Sequence, residues 1–236
     1  MLIKTKNLVK SYEREGVSHR VVDQVNFTMD SGEFVIVKGT SGSGKTTLLN
    51  LLSGILTPSG GSVFFEGNDL KKMDDRQLSE IRNHRISYIP QNDTLLSTLT
   101  LWDNLRLPFF LGKGGDLTVE ELDERLQRLL EEFGLSDRKG AYPKELSGGE
   151  IRRGLIIRSL ALDPDLIIAD EPTGSLDPVT TLTVMEKFRR ISQKGIAVLA
   201  VSHQPETFPF GDRLYEMKEG QLLPAKVFTE NRIRKD

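Results

Sequence analysis

Two glycine-rich stretches in this chain could each open a helix toward an anion. The first is Gly39-Thr40-Ser41-Gly42-Ser43-Gly44-Lys45-Thr46. It follows a strand-like run, Phe34 to Lys38, and leads into a helix-like one, Lys45 to Ser53, stopped by Gly54. Gly42 and Gly44 let the backbone curl so that its N–H groups wrap a phosphate, and the helix start adds the positive end of its dipole. In that context the loop grips a nucleotide, with Lys45 reaching the β- and γ-phosphates, Thr46 holding Mg²⁺ and Thr47 beside them. The second stretch is Leu146-Ser147-Gly148-Gly149-Glu150. Ser147 and Glu150 form an S-x-x-E capping box, so this is as consistent with a structural helix start as with glycines that bare the backbone to an anion. The first loop already holds one set of phosphates, and the residues do not say where another would come from.

Three further positions sit where strand-like runs end. Leu166 to Ala169 is a continuous apolar run, as in a parallel strand buried on both faces, and it delivers Asp170 and Glu171. In open α/β sheets ligands bind at that carboxyl edge. Asp170 suits a Mg²⁺ shell and Glu171 a general base for water. Taken alone the pair could equally be solvated loop carboxylates; beside a phosphate loop that reading is minor. Ile86 to Pro90 leads into Gln91, and Ile196 to Ser202 leads into His203. A lone Gln or His at a strand end is usually an ordinary surface or capping residue. On this edge, Gln91 can orient water or a metal ligand, and His203 can bond the γ-phosphate or the attacking water.

The elements that must carry these groups read as follows. Leu2 to Asn7, Val21 to Asp30 and Ser62 to Glu66 are strand-like, the last after a Pro58-Ser59-Gly60-Gly61 turn. Thr118 to Phe133 has a helical stripe of Val119, Leu122, Leu126, Leu129, Leu130 and Phe133, a Thr118/Glu121 capping box and a stop at Gly134. A second helix is expected from Ser147 to about Leu162, making about 92–162 a helical lobe. Asp177-Pro178 opens another helix. Arg213 to Lys218 is expected as a short edge strand, and 224–236 as a charged tail after a domain spanning 1–223.

The 236 residues suffice for one sizeable domain with an inserted lobe, and there is no cysteine for staples or thiolate metal sites. Thirty-two Lys and Arg against 34 Asp and Glu leave a net charge of -2, which gives no footprint for nucleic-acid binding. The N-terminal MLIKTKNLVK lacks a signal-peptide core, and no apolar run approaches the roughly 20 residues of a span. The expectation is a cytoplasmic protein whose membrane role comes through a partner.

As a set, these motifs resemble the ATP-binding-cassette ATPase family. Its Walker A loop matches Gly39 to Thr46, and its Walker B matches Leu166 to Asp170, followed by its catalytic glutamate at Glu171. Its signature motif matches Leu146 to Glu150, its Q-loop Gln91, its D-loop Ser175-Leu176-Asp177 and its switch histidine His203. Its adenine-stacking aromatic corresponds to Tyr12. The order and spacing agree over roughly residues 2 to 220. The resemblance implies a phosphate-loop α/β core with a mostly parallel sheet, an N-terminal antiparallel β subdomain and an inserted α-helical subdomain. It implies ATP and Mg²⁺ as cofactors, with Thr46, Gln91 and Asp170 toward the metal and Lys45, Gln91, Glu171 and His203 toward catalysis.

The family works as a head-to-tail pair in which the signature helix of one cassette covers the nucleotide of the other. The resemblance therefore supplies the absent ligand of Ser147 to Glu150: ATP on a second copy or another cassette, with Asp177 near it. LSGGE, Leu95-Leu96-x-x-Leu99-Thr100 and Asp170-Glu171-Pro172-Thr173-Gly174 resemble the ATPases of macrolide exporters, lipoprotein-releasing complexes, antimicrobial-peptide resistance transporters and the bacterial division complex. The implied partner is an integral membrane permease at the inner face of the cell membrane, contacted through the Q-loop and the helical lobe. Leu99 to Phe110, with Trp102, Phe109 and Phe110, would cradle it, although local core packing is at least as good a reading for two of the three aromatics. The alternative is a soluble cassette ATPase acting on nucleic acid or ribosomes. Such proteins usually carry two cassettes or a long coiled-coil insertion, and neither is visible. Two departures stand out: Gly154, where a mid-helix Gly costs about 1 kcal/mol, and Gln204 after His203, where an acidic residue is common.

Overall fold

The computed structural model describes residues 1–14, 16–92, 95–112, 117–174 and 176–227. Chain order runs β1 (Ile3–Arg14), β2 (Val17–Val25), β3 (Thr28–Met29), β4 (Phe34–Lys38), α1 (Lys45–Leu52), β5 (Gly60–Phe65), β6 (Asn68–Asp69), α2 (Asp75–His84) and β7 (Ile86–Ile89). It continues through α3 (Leu101–Leu111), α4 (Val119–Glu132), α5 (Gly148–Ser159), β8 (Leu166–Asp170), α6 (Pro178–Gln193), β9 (Ala197–Val201), β10 (Arg213–Lys218) and β11 (Gln221–Val227), with short 3-10 turns between. The fold is the expected one. An antiparallel sheet, β2-β1-β5-β6 with β3 beside β1, stands next to a mixed sheet ordered β11-β10-β4-β9-β8-β7.

In the mixed sheet β10, β4, β9, β8 and β7 are mutually parallel. Alternation along each strand splits the core in two. Phe34, Ile36, Ile167, Ala169, Val198 and Ala200 face a cluster built with α4, α5 and α6. Val35, Val37, Leu166, Ile168, Leu199 and Val201 face one built with α1 and the antiparallel sheet. Both faces are dry, which explains why β8 and β9 read as unbroken apolar runs.

Among the described residues between β7 and β8, all regular structure is helical, α3 to α5 with 3-10 turns. The Thr118/Glu121 capping box forms as expected, and Leu122, Leu126 and Leu130 bury the stripe. Helix α5 ends at Ser159, short of Leu162. Its Gly154 is explained by close approach: a Cβ there would lie 2.9 Å from Leu101 Cδ1 of α3. Among the described residues no helix is long and apolar enough to cross a membrane.

Two expectations change, and one helix lies outside them. β10 is not an edge strand, because β11 pairs with its outer side. β11 is mostly exposed and contains Pro224, so it lacks an apolar pattern; proline is tolerated on such an edge. The strand also absorbs residues 224–227 of the expected tail, while 228–236 lie outside the described residues. Helix α2 has no buried residue, so no stripe announced it, although its Asp74/Gln77 capping box is a readable signal.

The approach to α3 depends on Asn104, which is fully buried. Its Oδ1 accepts from Leu96 N at 2.6 Å, and its Nδ2 donates to the carbonyls of Leu96, Leu99 and Thr100 at 3.1, 3.2 and 2.9 Å. One amide thus closes the 96–100 loop by satisfying groups that would otherwise be buried without partners. Asn104→Leu is expected to lower unfolding free energy by about 2–4 kcal/mol in urea titrations. A loss under about 0.5 kcal/mol would mean that water replaces these bonds.

Candidate functional site

Parallel register brings the ends of β4, β8, β9 and β7 to one edge, and the groups singled out in the sequence arrive there together. A cleft of about 280 Å³ is lined by Val21, Ser41, Gly42, Gly44, Lys45, Thr46, Thr47, Gln91, Asp170 and Glu171. The loop that forms its floor is shaped by contacts that exclude side chains. Gly44 has φ 103°, and a Cβ on it would lie 2.3 Å from the carbonyl oxygen of Val21 on β2. A glycine is required there for the antiparallel sheet to close against the loop.

Lys45 is buried and donates to the carbonyls of Gly39 and Thr40 at 2.9 and 2.8 Å, which holds its ammonium over the loop. The Thr46 hydroxyl donates to Asp170 Oδ2 at 2.7 Å, joining the helix start to the end of β8. Gln91 Nε2 donates to Glu171 Oε2 at 3.2 Å, and His203 Nδ1 lies 3.4 Å from Glu171 Oε1. Glu171 therefore stands between the ends of β7 and β9. Its backbone is left-handed, φ 48°, which is uncommon for a residue other than glycine. Gln204 accepts a 2.6 Å hydrogen bond from the Thr173 hydroxyl, a role an acidic residue could also fill.

Other sequence candidates lie apart from this cleft. Tyr12 is 44% exposed on β1, paired in register with His19 of β2, with Lys10 Nζ 5.4 Å from its ring centre. The same hairpin supplies Val21 to the cleft, but Tyr12 is not among the lining residues. Ser147 caps α5, its hydroxyl accepting from Glu150 N at 3.3 Å while Glu150 Oε2 accepts from Ser147 N at 2.7 Å. The Ser147 N–H, and next its hydroxyl donating at 2.9 Å, hold the Glu150 carboxyl below the usual carboxylate range, with Arg138 adding to the effect. Open space surrounds Gly148, where a Cβ would meet nothing within 4 Å. Asp177 caps α6 through the N–H groups of Val179 and Thr180, and the Thr180 hydroxyl above all holds its carboxyl low. Ser175 lies outside the described residues.

Sequence reasoning missed Arg152 and Val21. Arg152 is 2% exposed on α5, close behind the capping box, and a charged residue on the buried face of a helix was its only signal. Val21 contributes a backbone carbonyl, for which the sequence holds no mark.

A family model described as "ABC transporter" matches residues 22–174. The chain belongs to the ABC transporter family. This cassette is 34% identical to the uncharacterized ABC transporter ATP-binding protein YknY of Bacillus subtilis (strain 168), over 95% of this chain and 96% of that one. It is 35% identical to the macrolide export ATP-binding/permease protein MacB of Neisseria meningitidis serogroup B, over 94% of this chain but only 34% of that longer protein. Its structure matches the dimeric post-hydrolysis cassette MJ0796 bound to ADP and Pi with a TM-score of 0.86 and 31% identity, covering all of both chains. The cassette is an ATP-binding, ATP-hydrolysing subunit of an ABC transporter that powers a membrane complex.

Burial pushes the Asp170 carboxyl above its ordinary value of 3.8; the Thr46 hydroxyl opposes this, and the Glu171 charge adds to it. A carboxyl whose folded pKa exceeds its unfolded one favours folding below the unfolded value, and that contribution is lost as pH rises through the folded pKa. Asp170→Asn keeps an acceptor for Thr46 and removes the charge. The cassette is thus expected to gain stability over wild type, by a margin that grows as pH rises above about 4 in urea titrations. A margin that stays flat over that rise would show that the charge is already compensated.

Proposed function

We propose that this ATPase hydrolyses Mg²⁺-ATP as one member of a head-to-tail pair of cassettes and drives an integral membrane permease from the inner face of the membrane. The observation that carries this reading is the split between two glycine-rich helix starts. One lies in the cleft with Gln91, Asp170 and Glu171, while Ser147 to Glu150 lies outside the cleft walls with open space at Gly148. A capped helix start with no side chain crowding Gly148 suits the phosphates of a second subunit. The related MJ0796 cassette, dimeric and bound to ADP and Pi, supports a pair of cassettes. The second subunit is a copy of this chain or another cassette.

Within each site, loop N–H groups and Lys45 neutralise the phosphates. Thr46 and Asp170 suit Mg²⁺, because a hydroxyl and a desolvated carboxylate meet at 2.7 Å, and Gln91 stands within reach of the same pocket. Bound there, Mg²⁺ would neutralise and orient the phosphate oxygens. Glu171 takes the proton of the attacking water, its carboxylate held between the Gln91 amide and His203. His203 orients the water or the γ-phosphate, and Tyr12 stacks on adenine beside the cleft. Asp177 sits with the partner's nucleotide at the joint.

For the permease, the helical lobe offers Phe110 and Leu111, 58% and 78% exposed at the end of α3, while Trp102 and Phe109 pack against the core. Beside them a groove of about 320 Å³ is lined by Ile55, Tyr88, Leu107, Leu155 and Arg158 among others. The ATP-binding/permease name of MacB supports a partner of that kind.

Glu171→Gln is expected to bind ATP normally and to lose at least about a hundredfold in turnover, trapping an ATP-bound dimer on gel filtration. Turnover near wild type would remove Glu171 from the role of base. Ser147→Arg is expected to block hydrolysis while the monomer still binds ATP in filter assays. Loss of binding by the monomer would refute the placement of Ser147 at a second subunit's nucleotide.

A further inference from the structure

Arg152 is among the largest fully buried side chains of the molecule. A guanidinium in that setting is costly unless its N–H groups are paired. Its Nη1 donates to the Pro90 carbonyl at 2.9 Å, and its Nη2 donates to the carbonyls of Gln91 and Glu171 at 3.0 and 2.9 Å. These acceptors belong to the two strand ends that present Gln91 and Glu171 to the cleft. The Glu171 carbonyl also accepts from Gly174 N at 3.1 Å, so two donors hold a backbone whose φ of 48° is unfavourable. Arg152 itself sits on α5, the helix that begins at Ser147.

We propose that Arg152 is a positioning residue for hydrolysis. Its planar fork ties α5 to the backbones of Gln91 and Glu171, so that a shift of α5 on engaging the second subunit's nucleotide resets the general base and the γ-phosphate sensor together. A flexible ammonium lacks that fixed geometry and holds three carbonyls less rigidly. This inference rests on the reading of Glu171 as base and of Ser147 to Glu150 as the contact across subunits.

The test uses the full chain with Mg²⁺-ATP, counting only protein that binds ATP. Arg152→Met is expected to lower kcat at least about tenfold with KM within about twofold, and Arg152→Lys to fall between it and wild type. Gln91→Ala is expected to cost a much smaller factor in the Arg152→Met background than in wild type, because the two residues act as one unit. A purely structural arginine would reduce the ATP-binding fraction and leave kcat per competent molecule intact. Unchanged kcat, or equal Gln91→Ala factors in both backgrounds, overturns the proposal. If Arg152→Met does not fold, the same kcat comparison and cycle on Arg152→Lys decide. Glu171→Gln measured alongside separates the two failures. A Glu171→Gln variant that turns over normally sinks the reading of the base. An inactive one beside a normal Arg152→Met sinks only the role of Arg152.

Discussion

Parallel pairing of β4, β9, β8 and β7 is the constraint on which everything else depends. Because neighbouring strands run the same way, their carboxyl ends share one edge. The phosphate loop after β4, Asp170 and Glu171 after β8, His203 after β9 and Gln91 after β7 therefore meet, though they are spread over most of the chain. Parallel strands need crossovers, and their helices cover one face of the sheet while α1 and the antiparallel sheet cover the other. The same pairing thus yields the site and the two hydrophobic cores that make its geometry rigid.

Rigidity at that edge comes from backbone groups as much as from side chains. The Val21 carbonyl presses on Gly44, Asn104 closes the loop before α3, and Arg152 holds the carbonyls of Pro90, Gln91 and Glu171. Two of these join parts distant in sequence, sheet to phosphate loop and lobe to strand ends, while Asn104 fixes the entry to α3 within the lobe. Movement of the helical lobe then reaches the strand ends through hydrogen bonds to fixed carbonyls.

Much of the site was legible because its groups follow local rules. Glycines at a strand-to-helix turn, carboxylates after an apolar run and a capping box before a helix depend only on residues close in sequence. The helical stripe from Val119 to Phe133 and the α6 start at Asp177-Pro178 were legible for the same reason. Other elements carry faint local signals. Helix α2 buries no side chain fully, β11 lies exposed on an edge with a proline in it, and β10 gains an outer neighbour that its own residues do not announce. Gly154 is a cost to its own helix that close packing of Leu101 on α3 accounts for.

The sequence by itself marked the candidate chemistry: a phosphate-loop pattern, an acidic pair at a strand end and a second glycine-rich helix start whose residues name no ligand. Those depend on residue type and short spacing. Only the tertiary structure decided which groups meet. It brought Gln91 and His203 to the two oxygens of Glu171, left Ser147 to Glu150 outside the cleft and turned Arg152 inward onto three carbonyls. Hydrogen bonds to backbone carbonyls leave no trace in the acceptor's residue type, so no reading of residues could have found that last contact.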